Sequence, residues 1–268
     1  MSNHSAYRTF VDRLSKTKDS AREKSTKKRK NLGLRTAREN LDDLVDPGSF
    51  LEFGAFAVAA QRNRRDYEEL QLETSADGIL TGFCNINEDE VGEDNSHAAA
   101  IIYDYSVLAG SQGFFHHQKL DRICEKAEEF SLPVVIFTEG GGGRPGDTDV
   151  TTQIAGLHIP SFSTWARLTG KCLKIAVNNG YCFAGNAVLF GCSDFMIATK
   201  QSWIGMAGPA MIEGGGLGVY DPKEIGPAEE QYKNGVLDYL AEDEKEATFI
   251  AKKLLSYFQG NLSDWSID

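Results

Sequence analysis

The sequence has few of the residues that mark a metal centre, a disulfide framework or a membrane segment. Its 268 residues include five cysteines, no two of which are spaced Cys-x-x-Cys. This pattern argues against a zinc ribbon and against disulfides, and we interpret the cysteines mainly as small buried hydrophobic residues. No apolar run reaches the ~18 residues that span a bilayer, and residues 1–10 are polar, without a signal-peptide core. We therefore expect a cytoplasmic protein with no metal site.

Side chains suited to acid–base or nucleophilic catalysis are also scarce. No Gly-x-Ser-x-Gly elbow occurs, which disfavours a serine hydrolase. The adjacent His116 and His117 lack metal-ligand spacing, so we expect one to pack inside and the other to be exposed; His158 is interpreted as structural. Glu139 and Asp194 are single carboxylates near predicted strand ends, not a pair. A catalytic site in this chain would therefore depend on backbone amides.

Charge is distributed unevenly along the chain. The net charge is −11, yet residues 1–40 carry +8 and the remainder −19. The acidic body argues against a nucleic-acid-binding surface. The basic segment is predicted to be helical. It could bind polyphosphate or nucleic acid, or it could be exposed to solvent without a ligand.

Turn residues at 46–49 (Asp-Pro-Gly-Ser) divide the chain into a basic helical arm, residues 1–45, and a body, residues 46–268. In the body, apolar strands alternate with helices, which predicts an α/β fold with parallel strands. We predict strands over 50–57, 78–86, 97–103, 133–138, 173–178, 194–198, 203–205 and 235–240, and helices over 114–130, 150–168, 184–190 and 242–258. Residues 61–74 are predicted as loop or exposed helix, 87–95 as a solvated hairpin tip, and 205–218 as an extended glycine-rich loop.

Three predicted strand-to-helix turns are candidates for a binding site, because ligands of parallel sheets bind beyond the carboxyl ends of the strands. They are residues 107–113, 138–144 and 179–187. The second contains four consecutive glycines, Gly140–Gly143, which can present a row of N–H groups to an oxyanion. It matches neither a Walker phosphate loop nor the dinucleotide fingerprint. A flexible turn without function is the alternative interpretation.

The same turns carry a family resemblance that extends from about residue 20 to about residue 260. Residues 34–50 (LRTAREN, then LVDPGSF), 104–113 (DYSVLAGSQG), 139–144 (EGGGGR) and 180–194 (GYCFAGNA, then SD) resemble, in order and spacing, motifs of the carboxyltransferase subunit of biotin-dependent acyl-CoA carboxylases. Gly208-Pro209 also has a counterpart there. The chain is similar to the N-terminal half of the propionyl-, acetyl- and methylcrotonyl-CoA group, which belongs to the crotonase-like superfamily.

The resemblance implies a crotonase-like β-β-α superhelix and transfer of a carboxyl group from carboxybiotin, carried on a partner, to the α-carbon of an acyl-CoA. The ureido nitrogen of biotin can take the α-proton, so no protein base is implied. Two amides of the glycine run would stabilise the thioester enolate, with Gly141, Gly142 and Gly143 as the candidate donors. The catalytic residues implied are these three together with Gly185 and Asn186. The acyl-CoA contacts implied are Leu108, Ala109, Gly110, Ser111, Gly180, Tyr181, Phe183, Ala184 and Arg35.

The implied partners are a biotin carboxyl carrier protein, a biotin carboxylase, and either further copies of the chain or a subunit carrying the C-terminal half. Single-chain members of the family are about twice as long, so we expect this chain to bind CoA esters but to need that second half for transfer. We also expect the arm to contact CoA phosphates through Lys27, Lys28, Arg29, Lys30 and Arg35. The absence of a zinc ribbon in the sequence favours the propionyl type.

Some positions depart from the family pattern: Gly140 replaces a serine, Gly143 an alanine and Ala109 a glycine. Two other functions remain open at this point. One is a biotin-independent crotonase-like decarboxylase or hydratase, which would need a carboxylate near the thioester, and Glu139 is its conspicuous candidate. The other is a non-catalytic half that serves assembly.

Overall fold

A computed structural model describes residues 3–150 and 159–260. A mixed seven-stranded sheet organises the chain, in the order β1-β2-β3-β4-β5-β7-β9. β1 and β2, and β2 and β3, pair antiparallel, and the remaining neighbours pair parallel. A second sheet pairs β6 with β8. The strands are β1 Leu51–Phe53, β2 Ile79–Asn85, β3 His97–Tyr103, β4 Val134–Phe137, β5 Lys174–Asn178, β6 Tyr181–Phe183, β7 Phe195–Thr199, β8 Trp203–Gly205 and β9 Tyr239–Ala241.

Helices cover both faces of the main sheet. Alternate strand residues supply two separate buried clusters, one packed by α7, α8 and α9 and the other by α3 and α12. The helices are α1 Asn3–Ser15, α2 Glu23–Asn31, α3 Ala37–Leu44, α4 Tyr67–Glu73, α5 Glu88–Val91, α6 Glu93–Ser96, α7 Phe114–Phe130, α8 Ser161–Arg167, α9 Gly185–Gly191, α10 Pro209–Gly214, α11 Ala228–Lys233 and α12 Glu244–Ser256. This α/β arrangement confirms the predicted fold class.

The central elements agree best with the sequence-based predictions. β3 and α7 begin and end where predicted, because β3 is a continuous apolar run and α7 a continuous amphipathic one. The predicted hairpin tip does connect the antiparallel β2 and β3, and it contains α5 and α6. Residues 151–158, which include His158 and part of the helix predicted over 150–168, lie outside the described residues.

Several predictions were wrong in detail. The glycine-rich segment 205–218 contains α10, which starts at Pro209, a residue favoured at the first helical position. His116 and His117 are both buried, because α7 begins beneath a buried Asp77–Arg144 ion pair. Cys192 is exposed, whereas the other four cysteines are buried.

The predicted arm is continuous with the body. Thr36 and Glu39 form a capping box at the start of α3, which fixes where this helix begins. Its apolar side then packs in the same buried cluster as α12. Among the described residues no helix is long and apolar enough to cross a membrane.

Candidate active site

Three turns at the carboxyl ends of β3, β4 and β5 meet at one edge of the sheet. We call them the Ala109 turn (residues 107–113), the glycine run (140–143) and the Cys182 turn (179–187). The glycine run lies between the other two. It bonds to the Ala109 turn through Gly141 N to Ala109 O at 3.0 Å, and to the Cys182 turn through Gly140 N to Tyr181 O at 2.7 Å. The structure thus brings together the three turns singled out in the sequence.

Glycine is required at two positions for this close approach. A Cβ on Gly110, which has a φ of +62°, would lie 2.3 Å from the Glu139 carbonyl oxygen. A Cβ on Gly140 would lie 2.2 Å from both the Gly110 carbonyl oxygen and the Asn186 side-chain nitrogen. Any other residue would therefore push the turns apart.

Not all amides of the glycine run are free to bind a ligand. The Gly141 N–H donates to Ala109, and the Gly142 N–H donates to the Asn186 side-chain oxygen at 3.0 Å. The Gly143 N–H has no acceptor within the described parts of the chain, and nothing would lie within 4 Å of a Cβ there. The prediction of three free oxyanion donors is thus corrected for Gly141 and Gly142.

The direction of the Gly143 N–H follows from its peptide group. The Gly142 carbonyl accepts a 2.8 Å hydrogen bond from Gln112 N. Because C=O and N–H of a trans peptide point in opposite directions, the Gly143 N–H points away from Gln112 and toward the side of the Cys182 turn. On that side α9 begins, and its first N–H groups, those of Gly185 and Asn186, lack intrahelical acceptors.

Ala184 connects β6 to α9 in an unusual backbone conformation, with φ 52° and ψ −120°. Such a conformation costs about 1–3 kcal/mol in a residue other than glycine, and it is often found at functional sites. A Cβ on Gly142 would lie 2.8 Å from the Ala184 Cβ, so the two turns are in direct contact here. The amides of Gly143, Gly185 and Asn186 thus belong to two turns that contact each other.

A buried ion pair joins α2 to the start of the glycine run. Both Glu139 carboxylate oxygens accept 2.8 Å hydrogen bonds from the Arg29 guanidinium, and both side chains are more than nine-tenths buried. Burial raises the pKa of Glu139 to about 7, and the Arg29 guanidinium acts in the opposite direction. Because both oxygens are occupied, Glu139 is not a free base, which weighs against the decarboxylase and hydratase alternatives.

A cavity of about 540 Å³ lies between α2 and the three turns. Tyr181 forms part of its wall and has its ring centroid 5.1 Å from that of Trp203. Lys24 and Lys28, one helical turn apart on α2, contribute positive charge. The lining residues are Lys24, Ser25, Lys28, Arg29, Leu32, Leu34, Glu73, Tyr105, Ser106, Ala109, Glu139, Gly180, Tyr181, Gln201, Trp203 and Lys223.

The predicted acyl-CoA contacts are only partly assembled around this cavity. Ala109, Gly180 and Tyr181 line it, whereas Leu108, Gly110, Ser111, Phe183 and Ala184 lie in the same turns without lining it. Arg35 is directed elsewhere, because its guanidinium pairs with Asp43 at 2.6 Å. Of the arm residues expected to contact phosphate, Lys28 lines the cavity, Arg29 pairs with Glu139 and Lys30 pairs with Glu39.

Sequence reasoning missed the structural role of α2. Arg22, the residue just before α2, and Arg29, seven residues later, are both buried in ion pairs, with Asp104 and Glu139 respectively. That spacing was the available signal. Trp203 and Lys223 had none, because they come from distant elements that meet at the cavity only in the folded chain.

Comparison with known proteins assigns the family. The model of the carboxyl transferase domain family matches residues 28–264. The chain belongs to this family. It is 31% identical, over 241 residues, to the methylmalonyl-CoA carboxyltransferase 12S subunit of Propionibacterium freudenreichii subsp. shermanii, a match that covers 89% of this carboxyltransferase domain and 43% of that subunit. The chain thus spans less than half the length of this curated relative.

Solved structures give the same result for the fold. A single-chain, multi-domain long-chain acyl-CoA carboxylase superposes with a TM-score of 0.91 at 49% identity, covering 98% of this chain and 26% of that one. The transcarboxylase 12S hexamer with methylmalonyl-CoA and methylmalonic acid bound superposes with a TM-score of 0.80 at 28% identity, covering 100% of this chain and 50% of that one. The crotonase-like carboxyltransferase fold implied by the sequence motifs is confirmed.

Proposed function

We propose that this carboxyltransferase domain binds an acyl-CoA and stabilises its thioester enolate, as the N-terminal half of the carboxyltransferase of a biotin-dependent acyl-CoA carboxylase. The observation that carries the proposal is the meeting of the three turns. Among the described residues the amides of Gly143, Gly185 and Asn186 have no acceptor, and residues of the same turns form part of the wall of a cavity with basic and aromatic side chains. One backbone donor to an oxyanion contributes ~3 kcal/mol of transition-state stabilisation.

The cavity has the chemistry that coenzyme A requires. Lys24, Lys28 and Lys223 offer charge for phosphates, and the Lys223 ammonium lies 5.7 Å from the Trp203 ring centroid. Tyr105, Tyr181 and Trp203 offer flat surfaces for the base. In this proposal α2 therefore binds phosphate through Lys24 and Lys28, while Arg29 holds the helix in place.

Carboxybiotin, when bound, supplies the carboxyl group. The region beside Gly143 fits the approach of a carrier-borne group, because Gly141 and Gly143 are exposed and space is open around Gly143. The chain's own residues bind the acyl-CoA, orient its α-carbon and lower the energy of the enolate. We propose a biotin carrier, a biotin carboxylase and a C-terminal half as partners, acting in the cytoplasm.

Binding and transfer are tested separately. Calorimetric titration with propionyl-CoA is expected to show binding to the chain alone. The double variant Lys24→Gln/Lys28→Gln is expected to weaken it about fivefold to thirtyfold at low salt, at ~0.5–1 kcal/mol for each charge. Lys126→Gln, which removes an exposed charge on α7, is the matched control.

Transfer is then measured from a carboxylated biotin carrier to propionyl-CoA, with and without a subunit carrying the C-terminal half. We expect turnover only with that subunit. Absence of CoA-ester binding would refute the proposed function, and robust turnover by the chain alone would refute the need for a second half.

A further inference from the structure

Arg144 follows the glycine run directly, and its buried guanidinium has no part in the proposed chemistry. It forms a buried ion pair with Asp77 and donates to the Ser111 carbonyl at 2.7 Å. Its Nε lies 3.2 Å from the Ser111 hydroxyl oxygen, and its Nη1 lies 3.6 Å from Asp147 Oδ2. One side chain thus links the turn before β2, the Ala109 turn and the segment after the glycine run.

The two aspartates also fix the start of α7. Asp77 accepts from the His116 backbone N–H at 2.7 Å, and Asp147 accepts from the Phe114 backbone N–H at 2.8 Å. Both therefore cap α7 while they contact Arg144. Because α7 is packed in a buried cluster, Arg144 is anchored to a rigid element.

The backbone around Gly143 is held on both sides by Gln112. Gln112 N donates to Gly142 O at 2.8 Å, and Arg144 N donates to Gln112 O at 2.9 Å. The position of Gln112 in turn depends on its neighbour Ser111, which the Arg144 side chain holds. The Gly143 peptide is thus framed by a closed loop of contacts that runs from Arg144 through Ser111 and Gln112 back to Arg144.

We infer that Arg144 is a positioning residue, which fixes the Gly143 peptide so that its N–H stays directed toward the Cys182 turn. The inference rests on the proposed function, because it assigns the Gly143 amide to the thioester oxygen. Gly113 supports the geometry, since a Cβ there would lie 2.1 Å from Arg144 Nη1. The guanidinium needs that space to reach both aspartates.

The test must separate amide positioning from stability. Propionyl-CoA and its thioether analogue S-propyl-CoA differ at the carbonyl oxygen, so the ratio of their dissociation constants reports hydrogen bonding to that oxygen. A general loss of folded protein changes both constants equally. For the unaltered chain we expect propionyl-CoA to bind about threefold to tenfold more tightly, the range for one hydrogen bond.

Arg144→Met is expected to bring this ratio to within twofold of one, with S-propyl-CoA affinity changed less than twofold. Because that variant leaves two buried carboxylates without their cation, Arg144→Lys is measured beside it. Lysine keeps the charge but cannot hold Ser111 and Asp77 together in the fork geometry of arginine, so its ratio should also fall. Arg38→Met, which removes an arginine paired with Glu52, is the control and should retain the ratio.

An unchanged ratio in a folded Arg144→Lys variant would overturn the inference and leave the proposed function intact. A ratio of one in the unaltered chain would overturn both the amide assignment and this inference. Failure of the unaltered chain to bind either ligand would refute the proposed function itself.

Discussion

Gly142 and Gly143 are adjacent, yet the structure gives them different tasks. Gly142 has a φ of +90°, and its N–H is already bonded to Asn186. Gly143 has open space around it, and its N–H has no acceptor in the part of the chain that the structure describes. From sequence, Gly141, Gly142 and Gly143 were equivalent candidates for oxyanion donors, because a run of identical residues does not show which peptide group faces which neighbouring turn. Only the pairing with Gln112 and Asn186 distinguishes them.

This difference changes the expected effect of Gly142→Val. If the Gly142 N–H bound the thioester oxygen, this substitution would remove thioester binding and leave the fold intact. The structure shows that the new side chain would meet Ala184, with a Cβ–Cβ distance of 2.8 Å, in a backbone conformation that valine resists. We expect the free energy of unfolding to fall by about 1–3 kcal/mol, measured by denaturant titration. Gly143→Ala should change it by less than about 0.5 kcal/mol; equal losses in the two variants would contradict this account.

His117 should make the domain sensitive to acid. It is buried and bonded to Ser161 Oγ at 2.9 Å. Burial and then the nearby Arg144 lower the pKa of His117 to about 4, from an ordinary value of 6.5. A lowered pKa in the folded state gives stability that is present above pH 6.5 and is lost as pH falls toward 4. The loss from this group is about 3 kcal/mol, measured by urea unfolding at each pH.

His117→Asn provides the control for this pH dependence, because its side-chain amide can still bond to Ser161 but does not titrate. The variant should lose less stability between pH 6.5 and pH 4 than the unaltered chain. The buried His116, whose pKa burial lowers well below its ordinary value, remains in both proteins and contributes to the residual slope. An identical slope in the two proteins would show that His117 does not carry the effect.

At the scale of elements, the sequence predicted best the strands and helices whose hydrophobic pattern is complete within the element itself. The apolar run of β3 and the amphipathic α7 were predicted to the residue. β9 was placed too early and β1 too long, because short edge strands depend on which neighbour they pair with. The docking of α2 was not predicted, since the partner of Arg29 is a carboxylate 110 residues away. Long-range pairing leaves little local signal.

The Arg29–Glu139 pair should couple α2 to the glycine run energetically. Removing one partner leaves a buried charge uncompensated, so Arg29→Met and Glu139→Gln should each lower the free energy of unfolding by about 3–5 kcal/mol. The double variant should lose much less than the sum of the two, as expected for residues in direct contact. Urea unfolding of all four proteins gives the coupling. The exposed Lys126–Glu129 pair should show about 0–1 kcal/mol, and additive losses at Arg29 and Glu139 would disprove the coupling.

At the scale of the whole molecule, apolar surface is concentrated beyond β8. Met206, Met211, Leu217 and Val219 are 65–79% exposed, in a segment that continues from β8 through α10. Buried clusters on both faces of the sheet already satisfy the core, so these side chains are not needed for folding the domain itself. Patches of this kind mark interaction surfaces.

We therefore expect the purified chain to self-associate through this segment when no other subunit covers it. Light scattering at micromolar concentration should give a mass above that of one chain, and the mass should fall on dilution. Met211→Lys/Leu217→Lys should shift the protein toward the monomer, because each lysine would have to be desolvated in the contact. Phe249→Lys, on an equally exposed position of α12, serves as the control and should associate like the unaltered chain. A monomer at all concentrations would contradict self-association. Equal loss of association in both variants would show that the contact is not specific to the α10 segment.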